Sequence, residues 1–416
     1  MSDGHVFIMD RLNAVLSKLD EFDSISGPPR RQMVRQAMSE LRDDVARLDV
    51  VAPNLELDAI AHSLIGLNSG RTVAKAVGAR ELDGFEKYEN EDPGWIKCLL
   101  EYATCHPVDF PIAGPGAAVY PLQGGDEIKI ALAGDWGTNN APAVAIAGYI
   151  RAANPDYTIH LGDVYYAGDP KDEVANLGEL WPTGRFGTFA LNSNHEMYCG
   201  GTGYFQVIRK QKFMNQGFSY FALHNDNWLI IGLDTAYWGH KQSFLYEDGY
   251  ISDDKIKPKG TAQKDWLVDL LGRAEHQHKR LMILTHHDGF DVDIGRVKEK
   301  NLLREITQLI GKTRDCLWYW GHVHAGIAYK PIRLADNVFL RARCVGHGGV
   351  PYAPFGELPS YGSGDYAIEW AEQEKATTGD PRRALNGYMI LTLKGKEITE
   401  QFYDECGRRR PWTGHS

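Results

Sequence analysis

The feature that most limits how this chain can fold is a pair of short apolar runs that each end in Gly-Asp. The first run begins at Ile128 and ends in Gly134-Asp135, and the second begins at Tyr157 and ends in Gly162-Asp163. Such runs, bounded by glycine, predict buried strands, and the Ala- and Ile-rich segment between them predicts a crossover helix. We therefore expect a βαβ unit with two carboxylates at the carboxyl ends of neighbouring strands, where open α/β sheets place their chemistry.

Composition narrows the class of protein. The 416 residues are enough for a large core and two domains, and the net charge of −10 argues against non-specific nucleic-acid binding, which needs a basic surface. No apolar run approaches the length of a membrane span, and the charged residues near the amino terminus, among them Asp10 and Arg11, would interrupt a signal peptide. We expect a soluble, cytoplasmic protein that binds neither nucleic acid nor membrane.

The six cysteines are scattered, without any Cys-x-x-Cys pair. They are Cys98, Cys105, Cys199, Cys316, Cys344 and Cys406. In a chain of this length without an export signal, we expect them to be reduced, unpaired and mostly buried as small apolar side chains.

The order of patterns along the chain predicts three regions. Residues 1–105 show helical periodicity and no cluster of ligands or nucleophiles, which predicts a helical domain or cap. Residues 106–125 contain four prolines and four glycines without periodicity, which is typical of a linker. From residue 126 to 416, strands alternate with helices, so we expect an α/β domain that carries the function.

Polar side chains suited to metal binding follow predicted strands at five places in this last region. They are Asp135, Asp163, Ser193-Asn194-His195-Glu196, Thr285-His286-His287-Asp288 and Gly321-His322-Val323-His324. Carboxylate oxygen and imidazole nitrogen suit iron, manganese and zinc, and a carboxylate can bridge two cations about 3.5–4 Å apart. The sequence therefore predicts a metal site, and most readily a site for two metals, at one edge of the fold.

The ordered motifs GDWG, GDVYY, SNHE, THHD and GHVH resemble those of the calcineurin-like metallophosphoesterases, and in detail those of the purple acid phosphatases. The resemblance covers residues 128–324 by motif and does not extend to the first hundred residues. Most of the superfamily has His where this chain has Gly137, and Tyr166 stands where the purple enzymes have an iron-binding phenolate. The resemblance implies a four-layer αββα sandwich, here with an N-terminal helical domain.

The resemblance also implies the ligands. A first metal, expected to be Fe(III), would be bound by Asp135, Asp163, Tyr166 and His324. Asp163 would bridge to a second metal, Fe(II), Zn or Mn, that is also held by Asn194, His286 and His322. The choice of His286 rather than His287 rests on the resemblance alone, and Ser193 replaces the usual glycine of that motif.

Catalysis follows from these assignments. A metal-held hydroxide would attack phosphorus while His195 protonates the leaving oxygen. Weaker expectations are that Glu196, His287 and His347 contact the substrate.

The leading prediction is a dinuclear phosphomonoesterase acting on small phosphoesters. The alternatives are a phosphodiesterase acting on cyclic nucleotides or other diesters, and a binding or regulatory module without activity. The oligomeric state is left open.

Overall fold

The computed structural model describes residues 88, 98, 101–102, 105–114, 116–293, 296–311, 314–352, 354, 366–377 and 382–415. The chain divides into two compact units, one of residues 1–106 with 198–200, the other of residues 107–197 with 201–416. The helices expected in residues 1–105 lie almost wholly outside the described residues, so that domain assignment stays a prediction. Within the described residues, no helix combines the length and the apolar character that a membrane crossing requires.

Within the described residues the strands form a nine-stranded, a six-stranded and a two-stranded sheet. The strands are β1 Val119–Pro121, β2 Glu127–Ala133, β3 Tyr157–His160, β4 Gly187–Ala190, β5 Phe221–His224, β6 Trp228–Gly232, β7 Arg280–Leu284, β8 Phe290–Asp293, β9 Arg296–Glu299, β10 Cys316–Trp320, β11 Gly326–Tyr329, β12 Ile332–Ala335, β13 Val338–Val345, β14 Ile368–Ala371, β15 Gly387–Lys394, β16 Glu397–Asp404 and β17 Arg409–His415.

Short helices connect these strands. The α-helices are α1 Ala141–Ala153, α2 Pro170–Asp172, α3 Asn194–Tyr198, α4 Thr202–Ile208, α5 Ala262–Gly272 and α6 Asn301–Ile310, and α2 continues as a π-helix over Glu173–Glu179. Short 3-10 helices are Gln211–Phe213, Tyr237–Lys241, Phe244–Tyr246, Lys259–Thr261 and Ala274–His276. The crossover helix α1 begins after Asn140, whose side chain accepts the Ala143 N–H, and ends at Asn154 in the left-handed conformation.

The six-stranded sheet has the order β17-β16-β15-β2-β3-β4. Its strands β2, β3 and β4 run parallel as neighbours, whereas β15, β16 and β17 add antiparallel pairs beyond β2. Strand β3, a central strand between two parallel neighbours, is buried along its whole length. The carboxyl ends of β2, β3 and β4 therefore meet at one edge of the sheet.

The nine-stranded sheet has the order β1-β5-β6-β7-β10-β13-β11-β14, with β12 paired to β13. Its centre is parallel, because β6, β7, β10 and β13 all point the same way. The two large sheets share one apolar core: Ile130 and Ile159 of the smaller sheet lie in the same buried cluster as Met282 and Leu317 of the larger. This packing confirms the predicted α/β metallophosphoesterase sandwich.

Several elements differ from the sequence-based expectation. Strand β1 lies inside the predicted linker, where it pairs with β5. Strands β11 to β13 were not predicted, and β14 lies in a region expected to form loops. These strands are mostly four residues long, and residues such as Arg333 and Glu369 keep one side in contact with water, so they lack the continuous apolar run that marked β2 and β3.

Candidate metal centre

The fold brings the predicted ligand clusters together from both large sheets. Asp135, Asp163 and Asn194 follow the parallel neighbours β2, β3 and β4, while His286 and His322 follow the parallel neighbours β7 and β10. Potential ligand atoms of Asp135, Asp163 and His286 lie within 4.8 Å of one another. The Asp and His side chains that follow the strands therefore lie close together at the carboxyl ends of the strands, as expected.

Asp163 lies at the centre of this group, and its two carboxylate oxygens face different partners. Oδ2 accepts a hydrogen bond of 2.7 Å from the Tyr165 hydroxyl and lies 3.8 Å from Nε2 of His195. Oδ1 lies 3.2 Å from Nε2 of His286 and accepts a hydrogen bond from the Ser193 hydroxyl. One carboxylate thus connects two sets of potential ligands, which is the geometry of a bridging group.

The first set surrounds Asp135. Its Oδ1 lies 3.3 Å from the Tyr165 hydroxyl and 3.4 Å from Nε2 of His324. The Tyr165 hydroxyl oxygen and Nε2 of His324 are 3.0 Å apart. The other oxygen, Oδ2, accepts the backbone N–H of His322 at 2.9 Å, which fixes the direction of the carboxylate. Asp135, Tyr165, His324 and Oδ2 of Asp163 together offer oxygen and nitrogen donors to one cation.

The second set surrounds His286. Its Nδ1 lies 2.9 Å from the carbonyl oxygen of Leu161, so Nδ1 carries the proton and Nε2 keeps its lone pair for a cation. That Nε2 is 2.8 Å from Oδ1 of Asn194. The ring of His322 lies 5.2 Å from that of His286. Asn194, His286, His322 and Oδ1 of Asp163 therefore form a second group of donors.

Backbone conformation at the strand ends directs these side chains. Asp135, Asp163 and His322 all have positive φ, at 56°, 76° and 62°. Residues other than glycine rarely adopt this region, and such conformations concentrate at functional sites. At Gly162, with φ +101°, a Cβ atom would lie 2.6 Å from Nδ1 of His286, so the approach of this imidazole to β3 requires glycine.

The structure differs from the sequence-based prediction at the tyrosine ligand. The hydroxyl that reaches Asp163, Asp135 and His324 belongs to Tyr165, and its side chain is buried. Tyr166 instead presents its backbone carbonyl to Nδ1 of His195 at 2.5 Å. The prediction of Tyr166 as a metal ligand stays a prediction, and the structure adds Tyr165 as a second candidate because its hydroxyl lies beside both carboxylates.

His195 lies where the prediction requires a proton donor. Its Nδ1–H donates to the Tyr166 carbonyl, so Nε2 is directed toward Asp163. The ring packs against Tyr165 at a centroid distance of 4.4 Å. The His195 side chain is 10% exposed and that of His324 is 31% exposed, so solvent or substrate can reach the centre from this side.

The three weaker substrate contacts lie in the protein interior instead. Both ring nitrogens of His287 are hydrogen-bonded, Nδ1 with the Thr235 hydroxyl and Nε2 with the Tyr246 carbonyl. The ring of His287 packs beside those of His286 and His322, and the potential ligand atoms of the three residues lie within 4.8 Å of one another. Because both of its ring nitrogens are hydrogen-bonded, His287 has no lone pair left for a metal ion. The other two, Glu196 and His347, have 0% and 1% of their surface exposed. All three side chains are buried, so their contact with a substrate stays a prediction.

Ser193 has a role that the sequence did not reveal. Its hydroxyl contacts both Oδ1 of Asp163 and Oε2 of Glu196, and it also accepts the backbone N–H of His195 at 3.1 Å. Oε2 of Glu196 further accepts the backbone N–H of Asp163. Ser193 and Glu196 thus hold the central carboxylate from behind, which gives a physical use to the serine found in place of the family glycine.

Gly137, the residue in place of the histidine found in most of the superfamily, has a packing role. Its N–H donates to the Asp163 carbonyl and its own carbonyl accepts from Tyr165, which joins the segments after β2 and β3. A Cβ at this position would lie 2.7 Å from both the carbonyl oxygen of Asp163 and Cα of Val164. Glycine is therefore required, and no side chain from this position can reach the centre without moving the backbone.

Burial makes the carboxylates of the centre interact strongly. Burial raises the pKa of Asp135, and repulsion from Asp163 raises it further. Burial acts in the same direction on Asp163, but the nearby His195 and His286 together with the Ser193 hydroxyl outweigh it and hold the pKa of Asp163 well below its usual range. Two buried carboxylates in such proximity repel each other unless a cation or proton lies between them.

The imidazoles of the centre are held neutral. Burial lowers the pKa of His286 and His322, and it lowers that of His324 to about 4. Neutral imidazole is the form that binds a metal. Buried carboxylates, neutral imidazoles, an amide oxygen and a phenol in one group fit hard or borderline cations such as iron, manganese and zinc.

Comparison with known proteins agrees with this description. The model of the calcineurin-like phosphoesterase family matches residues 128–326. No curated protein sequence matches the chain. The solved structures with a similar fold include GAP50, the anchor in the inner membrane complex of Plasmodium, at 12% identity and a TM-score of 0.45 over 69% of this chain and 88% of that one. PhoD is similar at 12% identity and a TM-score of 0.45 over 71% of this chain and 69% of that one.

The sequence match and the site define the class of protein. Residues 128–326 match the calcineurin-like phosphoesterase family, and they contain Asp135, Asp163 and His286, whose potential ligand atoms lie within 4.8 Å of one another. The chain is thus a hydrolase of phosphoesters with a buried Asp and His cluster suited to metal.

Proposed function

We propose that this protein is a dinuclear metal-dependent phosphomonoesterase of the purple acid phosphatase type. The observation that carries the proposal is the position of Asp163, whose Oδ2 faces Tyr165 while its Oδ1 faces His286. The first metal would be held by Asp135, Asp163, Tyr165 and His324, and the second by Asp163, Asn194, His286 and His322. When bound, the two cations would supply Lewis acidity that activates water and neutralises charge on the phosphate oxygens.

The residues of the chain itself then have distinct tasks. The Tyr166 carbonyl accepts Nδ1–H of His195, so Nε2 faces the centre, and in the imidazolium form it carries the proton that can be given to the leaving oxygen. Ser193 and Glu196 keep the Asp163 carboxylate in one orientation. The preference for monoesters over diesters rests on the family resemblance.

A comparison of two substrates tests the reaction. Metal-loaded protein should hydrolyse an aryl phosphate monoester with a higher kcat/KM than the matched diester, and Asp163→Asn should abolish both activities. Asp226→Asn is the matched control, since this carboxylate is exposed in the turn between β5 and β6. Faster diester hydrolysis would support the phosphodiesterase alternative. Loaded protein that hydrolyses nothing across a broad phosphoester panel would support a binding module.

The tyrosine assignment has its own test. Phenolate bound to Fe(III) absorbs visible light, so iron-loaded protein should be coloured. Tyr165→Phe should remove that absorption, whereas Tyr166→Phe, a change of the same size at the next residue, should retain it. Retention of the colour in Tyr165→Phe and its loss in Tyr166→Phe would reverse the assignment, and colourless, fully active iron-loaded protein would refute a tyrosinate ligand altogether.

A further inference from the structure

A second group of potential metal ligands consists of Glu101, Cys105 and Cys199. The Cys105 thiol lies 2.9 Å from Oε2 of Glu101 and 3.8 Å from Sγ of Cys199. All three residues belong to the same compact unit of the chain. Their potential ligand atoms lie within 4.8 Å of one another. Cys199 is buried, and Cys105 and Glu101 are half-buried.

The distances fit a tetrahedral thiolate site. With metal–sulfur bonds of about 2.3 Å, two thiolates at corners of a tetrahedron lie about 3.8 Å apart, which is the separation observed here. A carboxylate oxygen bound at about 2.0 Å would lie about 3.5 Å from each sulfur. Oε2 of Glu101 lies 2.9 Å from Sγ of Cys105, which is closer than this oxygen–sulfur distance. To bind the metal ion, the carboxylate would therefore have to move away from the sulfur by about 0.6 Å.

The two segments that carry these ligands are held in place by their neighbours. The Cys105 N–H donates to the Glu101 carbonyl at 2.8 Å, a helical i to i+4 contact that places both side chains on one face. The ring of Tyr102 packs edge-on against that of Tyr198, at a centroid distance of 6.4 Å, directly beside Glu101 and Cys199. The ligand atoms are thus positioned before any ion arrives.

The charges of the group favour a cation. Cys105 has one thiol proton, so it cannot donate to Glu101 and Cys199 at the same time. A divalent cation would remove this competition, because it binds both thiolates and the carboxylate together.

We propose that Glu101, Cys105 and Cys199 form a second metal site, for a thiophilic divalent cation of the zinc class. It is separate in chemistry from the Asp163 centre, whose described donors are oxygen and nitrogen. Cys199 directly follows α3, the helix that begins with Asn194 and His195, so the ion would anchor the chain next to the catalytic motif. The site is independent of which phosphoester the enzyme hydrolyses.

Cadmium titration of the full-length, reduced protein tests the proposal. Thiolate bound to Cd²⁺ gives a charge-transfer absorption in the ultraviolet, and oxygen or imidazole ligands do not. We expect the final intensity of this band to correspond to one Cd²⁺ with two thiolates per chain, whatever additional Cd²⁺ the Asp163 centre takes up, and we expect excess Zn²⁺ to displace it. Cys105→Ser and Cys199→Ser should each weaken Cd²⁺ binding by more than about 100-fold, because loss of a group that merely orients a ligand already costs roughly 10- to 100-fold.

Two controls separate this site from the rest of the molecule. Cys406→Ser, which removes an exposed thiol elsewhere, should leave the band unchanged. Asp163→Asn should also leave the band while it impairs the phosphoesterase centre. Absence of the band in reduced wild-type protein, or its persistence in both Cys105→Ser and Cys199→Ser, would overturn the proposal.

A measurement on the wild-type protein covers the case in which a variant does not fold. Zn²⁺ should slow alkylation of Cys105 and Cys199, as located by peptide mass spectrometry, and should leave the rate at Cys406 unchanged. Equal alkylation rates with and without Zn²⁺ would contradict the site. A disulfide between Cys105 and Cys199 that re-forms after reduction and persists under Zn²⁺ would also refute it.

Discussion

The buried histidine His347 should make the protein lose stability as the solution becomes acidic. Its ring is 1% exposed and packs against the backbone of Gly326 and Gly387, and neither ring nitrogen has a hydrogen-bond partner among the described residues. Burial, with a smaller contribution from Arg410, lowers the pKa of His347 to about 3 from the ordinary 6.5. The folded state therefore holds the ring neutral at pH values where the unfolded chain binds a proton.

The size of the effect follows from proton linkage. Because the folded pKa lies below the unfolded value, stability is complete above pH 6.5 and is lost progressively as the pH falls toward 3. One pKa unit corresponds to about 1.4 kcal/mol, so His347 should remove about 2 kcal/mol of the unfolding free energy between pH 7 and pH 5. The total loss below pH 3 should reach about 5 kcal/mol.

The variant His347→Met measures this contribution. Methionine is unbranched and can fill the narrow space between two glycine backbones without a titrating group. Urea unfolding at pH 7 and pH 5, followed by tryptophan fluorescence, should show that the variant loses about 2 kcal/mol less than wild type between the two pH values. Other titrating groups contribute equally to both proteins and cancel in the comparison.

The matched control is His278→Met, which removes an exposed imidazole. It should lose as much stability between pH 7 and pH 5 as wild type. If the loss of unfolding free energy between pH 7 and pH 5 is the same in His347→Met and wild type to within about 0.5 kcal/mol, the ring is not held neutral in the folded state, and the linkage argument fails.

Three further variants test how the metal centre is supported. Gly162→Ala should lower stability by more than about 1–2 kcal/mol in urea unfolding, because of its φ of +101° and the contact with His286, whereas Gly148→Ala, where a Cβ meets open space in α1, should not destabilise. His195→Gln should reduce kcat by roughly 10²- to 10⁴-fold while metal content, measured by mass spectrometry, stays the same; an unchanged kcat would remove His195 from the proton-transfer step. Ser193→Ala should weaken metal binding roughly 10- to 100-fold in a chelator competition, and unchanged affinity would show that Asp163 needs no such support.

The architecture of the catalytic edge could be predicted because its signals are local. Strands β2, β3 and β7 are buried over most of their length, and each is followed within three residues by a ligand residue, such as Asp135 and His286. In parallel neighbours, residues that follow the strands must meet at one edge, so sequence order alone brings them together. Strands β11, β12 and β14 lack such signals, since their positions depend on their partners rather than on their own composition: β11 and β12 pair with β13, and β14 pairs with β11.

The burial of two predicted substrate residues depends on contacts that are distant in sequence. His347 stands in a Gly-rich stretch, which is typical of an exposed loop, yet its ring is enclosed by Gly326 and Gly387 from separate strands and by Phe402. Glu196 follows the catalytic histidine but turns inward to Ser193. Burial of this kind depends on which strands become neighbours, and a residue pattern within one segment does not contain that information.

Gly137 and Tyr165 together explain why this centre differs from the commoner arrangement of the superfamily. The segments that follow β2 and β3 are joined by hydrogen bonds on both sides of Gly137, and this close approach leaves no room for a side chain there. A ligand from position 137 is thus excluded by the same backbone contact that holds Tyr165, since the Gly137 carbonyl accepts the Tyr165 N–H. The phenol then reaches both Asp135 and Asp163. The absence of a side chain at position 137 and the approach of the Tyr165 phenol to both carboxylates are therefore two consequences of one local backbone geometry.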